Sequence, residues 1–363
     1  MRKLTVVATV AMTLMLSAGT SSATSPTTAQ FQPYQVVLAS TGGAVFVLGF
    51  KSCGTMSCPE LWAGTGTSFV QRVAAPGTTP RYMSQLVFAN GLDGYAFNTK
   101  LGDYATTNGG INWTHVSFGR EVSLSDVVTS DGWFYGVTEH CVVPKGKDLT
   151  CDDYRLARSR VGSVTWSSIS IPGTGQLSWQ RLGLTAWGRE VTVQTPWLGH
   201  AGETLLRSFG GRAPLRVVSH DPEIGSVTGA CDLTATSASS MWAICGTGMM
   251  EAWLYSSDGG DHFKRFWWPF GTAGVVLDPV SGRVAFRYTG IELPRPSELE
   301  LTTNGGTSFI PIAHLGVVAM AFQNRLKGYV VGATNLRGNN PELLQTSDGG
   351  HSWHKVVFES STQ

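Results

Sequence analysis

The sequence is short of charge. Asp, Glu, Lys and Arg together make up 14% of its 363 residues, against roughly 25% in an average domain. Its 26 basic and 25 acidic side chains nearly cancel, which excludes the dense positive field that holds nucleic acid or an anionic membrane. Helical apolar periodicity is missing after the first residues, so helices do not organise the chain. No later apolar run is long enough to span a bilayer. There is no GxSxG nucleophile elbow and no GKS or GKT phosphate loop, and Gly64-Thr65-Gly66 lacks the third glycine and following helix of a dinucleotide site. No cofactor and no metal are expected.

At the start, Arg2 and Lys3 precede an apolar run from Leu4 to Leu16, and small residues follow as far as Ser21-Ser22-Ala23. That is the layout of a secretory signal peptide. Residues 1–23 are read as the leader, 24–33 as a short linker and 34–360 as the folded domain. No cysteine follows the cleavage point, which argues against a lipoprotein anchor. The mature product is expected to be soluble and extracytoplasmic.

The six cysteines form three near neighbours: Cys53 with Cys58, Cys141 with Cys151, and Cys231 with Cys245. An even count in an oxidising compartment suggests disulfides, and local pairing is the expectation, although spacing alone does not fix connectivity. Metal binding by His140-Cys141 and Cys151-Asp152-Asp153 is the rival for the middle pair. A buried reduced pair is the rival for Cys231 and Cys245.

Glycine is plentiful, at 44 residues, and much of it sits in a repeat. Four segments share one pattern of Ser or Thr, any residue, Asp or Asn, two glycines, two further residues and an aromatic. They run from Thr106 to Trp113, Ser256 to Phe263, Thr302 to Phe309 and Thr346 to Trp353. Degenerate copies end at Phe69, Trp166 and Leu215, so the closing residues recur every 44 to 53 positions. A period in the forties with short strands is what a propeller blade requires. Gly94-Tyr95, Gly132-Trp133, Met241-Trp242 and Gly328-Tyr329 precede their turns by a loop and a strand, marking the second strand of a blade. The fold expected is all-β: a seven-bladed propeller of four-stranded antiparallel blades. In blade 7 the strands are read near Val317–Gln323, Gly328–Val331, Leu343–Thr346 and Trp353–Phe358. Within each turn the Asp or Asn satisfies backbone donors, the glycines accept positive φ, and the aromatic packs. Asp258 and Asp348 are therefore structural, not catalytic.

With these motifs, the chain resembles the Asp-box, or bacterial neuraminidase repeat, propellers. It looks particularly like photosystem II assembly-factor-like members, and more distantly like sialidases and sortilin-type domains. The resemblance implies that ligands meet the face opposite the Asp-box turns, on loops joining strands two and three or one blade to the next. Those loops include residues 51–60, 140–153, 195–203, 288–298 and 333–342, the first two stiffened by cysteine pairs. The function implied is non-enzymatic binding or assembly, with a protein or a glycan as partner. Arg265, Trp267, Phe270, Trp197, Arg295 and Arg337 are the candidate ligand-face residues. The alternative is sialidase-like hydrolysis, with Arg81, Arg181, Arg265, Arg287, Arg295 and Arg337 supplying a carboxylate grip and Tyr288 with Glu292 as nucleophile and base. That pattern departs from sialidases at its start: no Arg-Ile-Pro segment precedes the first turn, and Glu292-Leu293-Pro294-Arg295-Pro296 matches it in composition only. Trp268 aligns with core positions of other blades. Trp267 aligns with Ser117, Ser170, Ser219, Ala313 and Val357, and so marks either a local gap or an exposed rim.

Overall fold

The structure, a computed structural model, describes residues 30–79, 84–142, 150–172, 177–178, 182–195, 204–219, 231–247, 250–267, 276–289, 298–333 and 341–358. Among them are seven antiparallel sheets, each made of consecutive strands in the spatial order of the sequence. They span residues 32–72, 85–116, 122–178, 183–219, 231–267, 276–313 and 316–355, and are blades 1 to 7. This is the expected seven-bladed propeller. Blade 3 carries a short fifth strand, Leu177–Ser178, paired to Thr150 and Cys151.

Apolar residues alternate along the middle strands and face the blade on either side. In the second strand of blade 1, Phe46 and Leu48 pack with Phe88 and Leu86 of blade 2, whereas Val45 and Val47 pack with Tyr329 and Val331 of blade 7. Both faces of a blade are thus buried, and the core is a ring of inter-blade layers. Two layers are built on parallel ring stacks, Phe46 on Phe88 at 3.4 Å and Phe286 on Phe322 at 3.5 Å. The glycine of the Gly-Tyr motif serves this packing, because the Phe88 and Phe322 rings lie against Gly94 and Gly328 where a Cβ would sit.

The four intact turns share one bonding pattern. In blade 7 the Thr346 hydroxyl accepts from the Gly350 amide at 2.9 Å, and Asp348 accepts from the Ser352 amide at 2.9 Å. Gly349 and Gly350 hold φ of 78° and 91°, the left-handed region that glycine tolerates. The Gly349 amide donates to Leu326 in the turn between the blade's first two strands, at 2.8 Å. The same link joins Gly109 to Leu92, Gly259 to Ser239 and Gly305 to Arg283. Both kinds of turn therefore share one face, and the connections between second and third strands lie on the other.

Among the described residues no strand crosses from one end of the chain to complete the blade at the other end. Instead Phe358 packs on Phe31 at 4.8 Å, Trp62 at 5.2 Å and Phe69 at 5.4 Å, wedging blade 7 against blade 1. This explains a departure from the sequence reading. The last strand is only His354–Lys355, because the chain beyond it turns inward to place Phe358 in the seam.

Candidate binding surfaces

On the face opposite the turns, the described second and third strands of blades 1 and 3 are the longest. The second and third strands of blade 1, Val45–Cys53 and Met56–Thr65, have nine and ten residues. Those of blade 3, Trp133–Val142 and Thr150–Arg160, have ten and eleven. In blade 2 between them the equivalents, Gly94–Thr99 and Gly102–Thr106, have six and five. Both long hairpins are braced. Cys53 is bonded to Cys58 near the tip of the first, and Cys141 to Cys151 across the second. Cys231 and Cys245 staple the first two strands of blade 5. All six cysteines are thus paired locally, which removes the thiolates that metal binding at Cys141 and Cys151 would need.

Beside the second disulfide, His140 Nδ1 lies 2.7 Å from Asp152 and its Nε2 3.6 Å from Glu121. The Asp152 hydrogen bond, reinforced by both carboxylates, raises the His140 pKa.

Of the residues nominated from sequence, Arg265 is partly buried in the fourth strand of blade 5, paired with Leu254, and the Trp267 backbone pairs with Ala252. Phe270, Trp197, Arg295, Arg337, Arg81, Arg181, Glu292 and Trp268 lie outside the described residues. Two members of the hydrolase alternative are misplaced for their role. Arg287 is 2% exposed, bonded to Glu300 through Nε at 2.8 Å, with its guanidinium over Trp253 and Phe309 at 4.5 and 3.7 Å. Desolvation lowers its pKa against the opposing pull of Glu300. Tyr288 is 7% exposed, on the other face of the strand in the layer between blades 6 and 7. Neither presents a grip or a nucleophile to solvent.

An arginine cluster on the turn-bearing side went unnoticed in the sequence. The fourth turn, from Ser208 to Leu215, has Gly210 where intact turns have Asp or Asn, and Arg212 where they have the second glycine. Arg158 donates to the Gly210 carbonyl at 2.6 Å and lies over Trp133 at 5.0 Å. Arg189 lies over Phe209 at 4.8 Å, with Asp131 only at 4.0 Å. A Cβ at Gly210 would be 3.5 Å from Arg189 and 3.9 Å from Arg158, so both guanidinium groups flank this turn. Desolvation, then the charge of Arg212, lower the Arg158 pKa. Beneath them the Tyr135 hydroxyl is buried with no hydrogen-bond partner. The adjoining groove between blades 4 and 5, about 580 Å³, is lined by Arg207, Arg212, Arg216, Glu190, Asp261 and the exposed ring of Phe209. Arg207 bonds the Gly259 carbonyl of the next blade. It therefore ties blade 4 to blade 5 as Arg158 ties blade 3 to blade 4. The signal available in the sequence was the missing acid in the fourth turn together with Arg212.

No family model and no curated protein matches the sequence. Solved structures do match in shape. YCF48 bound to D1 peptide is 13% identical with a TM-score of 0.50, over 88% of this chain and 94% of that one. The β-propeller domain of the Trilobed protease from Pyrococcus furiosus, described as having an open velcro topology, is 9% identical with a TM-score of 0.56, over 92% and 97%. YCF48 from Cyanidioschyzon merolae is 12% identical with a TM-score of 0.47, over 91% and 86%. At these identities the likeness is one of fold.

Proposed function

We propose that the chain is an exported, non-enzymatic binding propeller that holds an acidic segment of a partner protein at the arginine-lined fourth turn. One observation carries this reading: three guanidinium groups crowd a turn that has lost its own acid, beside a buried hydroxyl without a partner. Arg158 is already held by ring stacking and the Gly210 carbonyl, and Arg189 by stacking on Phe209, so little side-chain entropy is lost when a carboxylate arrives. That YCF48 was solved with a D1 peptide is consistent with a propeller of this shape carrying an extended protein segment. The placement differs from the face implied by family resemblance, whose nominated loops lie mostly outside the described residues. Fluorescence anisotropy with glutamate-rich and lysine-rich peptides tests the reading. The acidic peptide should bind with marked salt dependence and lose roughly tenfold or more in affinity on Arg189→Ala with Arg212→Ala. Equal binding of both peptides, or turnover of a fluorogenic sialoside, would overturn it.

A further inference from the structure

The arginine-lined fourth turn has a counterpart further round the ring. Between blades 5 and 6, on the same turn-bearing face, a second groove of about 420 Å³ is lined by Lys264, Phe266, Tyr255 and His262 from blade 5 and by Arg283 and Thr307 from blade 6. Cross-strand pairing sets what enters it. Lys264 pairs with Tyr255 and Phe266 with Trp253, and Tyr255 and Trp253 both face blade 6, where they pack with Ala285 and Phe309. Lys264 and Phe266 therefore share that face, and the Lys264 ammonium lies over the Phe266 ring at 5.2 Å. Arg189 is set over Phe209 in the same way at the fourth turn. Arg283 is exposed in the turn between the first two strands of blade 6, its carbonyl accepting from the Gly305 amide.

Neither cation is neutralised. None of the ion pairs among the described residues involves Lys264 or Arg283. Asp258 also lines the groove, but its own turn occupies it. It accepts from the His262 amide at 3.0 Å and the Ser256 hydroxyl at 2.8 Å, and pairs with the His262 ring at 2.7 Å. We infer that this groove is a second anion seat for the same partner: the acidic segment held at the fourth turn carries a further acidic block about six residues along. The inference rests on that reading of the fourth turn.

The spacing follows from the fold. From the layer between blades 3 and 4 to that between blades 5 and 6 is two sheet spacings, about 20 Å, which an extended chain covers in about six residues. Charge along the route selects the occupant. Between the seats lies the groove of blades 4 and 5, where Glu190 and Asp261 stand beside Arg207 and Arg216. Glu190 is 3.9 Å from Arg207. A uniform polyanion would set charge against Glu190 and Asp261 midway. A chain acidic at both ends and uncharged between them meets cations at the ends and the ring of Phe209, 63% exposed, on the way. That patterning belongs to a polypeptide, not to a nucleic acid or a sulfated glycan, whose charges recur along the whole chain.

Fluorescence anisotropy in about 0.15 M salt, where charges two blades apart are screened from one another, tests this with three peptides. Two carry the same pair of glutamate blocks, joined in one by about five Gly and Ser residues and in the other by a single Gly. In the third, glutamate replaces the long spacer. The long-spaced peptide should bind about tenfold or more tighter than the short-spaced one, because its second block reaches a second seat without a second association step. The unbroken glutamate peptide should bind no tighter than the long-spaced one. Lys264→Glu with Arg283→Glu, both at exposed positions, should abolish the gain from spacing and leave the short-spaced peptide near its wild-type affinity, with the melting curve intact. Equal binding of the two spaced peptides, a gain that survives the charge reversal, or a preference for unbroken glutamate would overturn the inference and leave the fourth-turn reading standing. A short-spaced peptide that fails to bind, or is indifferent to Arg189→Ala with Arg212→Ala, would overturn that reading and the inference with it.

Discussion

The Tyr329 hydroxyl donates to the Gly66 carbonyl at 3.0 Å, joining blade 7 to blade 1 across 263 residues of sequence. The same device recurs inside the ring. Tyr95 of blade 2 donates to Ser163 of blade 3 at 3.0 Å, and Trp242 of blade 5 to Gly282 of blade 6 at 2.9 Å. An aromatic in the second strand thus reaches over the inter-blade layer and bonds a turn of the next blade. Among the described residues no strand is shared across this seam, which Tyr329 and the Phe358 wedge hold together with the layer of Val45, Val47 and Val331.

Tyr329→Phe keeps the ring and removes the bond to Gly66, together with the longer one that the hydroxyl accepts from Gln345 at 3.3 Å. It should cost about 1 to 2 kcal/mol, the net worth of one to two hydrogen bonds, read as a lowered denaturation midpoint. The loss should be local. Amide exchange in Gln32–Leu38 and Glu342–Thr346 should quicken while Gly183–Trp187 of blade 4 is unchanged. Uniform quickening would mean that the seam is not the weak point.

Much of this was written in the sequence, because a repeat makes one local solution visible several times over. The glycine pairs, the closing aromatics and the Gly-Tyr strands recur from blade to blade, so their spacing yields blade number and phase. What escaped depends on contacts between blades. Arg158 and Arg207 occupy ordinary strand positions just before Ser159 and Ser208, and only the neighbouring turn, at Gly210 or Gly259, gives them a role. Arg287 looked available for a ligand, but its two aromatic covers come from blade 5 and from the closing position of its own turn. The short last strand of blade 7 was misread for the same reason: Phe358 belongs to a layer shared with blade 1.

The turn acids make a second test. Asp348 accepts from the Ser352 amide and from the Ser352 and Thr346 hydroxyls, and these bonds hold its carboxyl well below the usual range. Asn108 and Asn304 accept the equivalent amide bonds in blades 2 and 6, from Asn112 at 2.9 Å and Ser308 at 3.0 Å. A neutral acceptor therefore suffices. Asp348→Asn should melt close to wild type, and Asp348→Ala should melt lower, by differential scanning calorimetry. Equal loss in both would show that charge, not acceptor geometry, carries the turn.

A third test concerns the buried acids that join neighbouring blades. Asp103, in the third strand of blade 2, is 4% exposed and accepts from the Leu124 amide in the first strand of blade 3 at 2.8 Å. Burial pushes its pKa up to about 7 from 3.8, against the pull of backbone hydrogen bonds from Leu124 and Asn98. Asp278 of blade 6, which accepts from the Phe322 amide of blade 7, is likewise pushed up to about 7 by burial. The folded state thus holds these protons more tightly than the unfolded chain does. Stability from this source is complete below about pH 4 and is lost as pH rises through 7. For Asp103 the gap between 3.8 and about 7 is worth at most roughly 4 kcal/mol at alkaline pH. Asp103→Asn keeps a carbonyl acceptor for Leu124 and cannot ionise. Urea denaturation at pH 5 and pH 8 should show the wild type losing stability over that interval, and the variant losing markedly less, so that it overtakes wild type at pH 8. Parallel pH slopes in the two proteins would mean that Asp103 stays ionised in the fold, with enough compensation from the Leu124 and Asn98 amides to offset its burial.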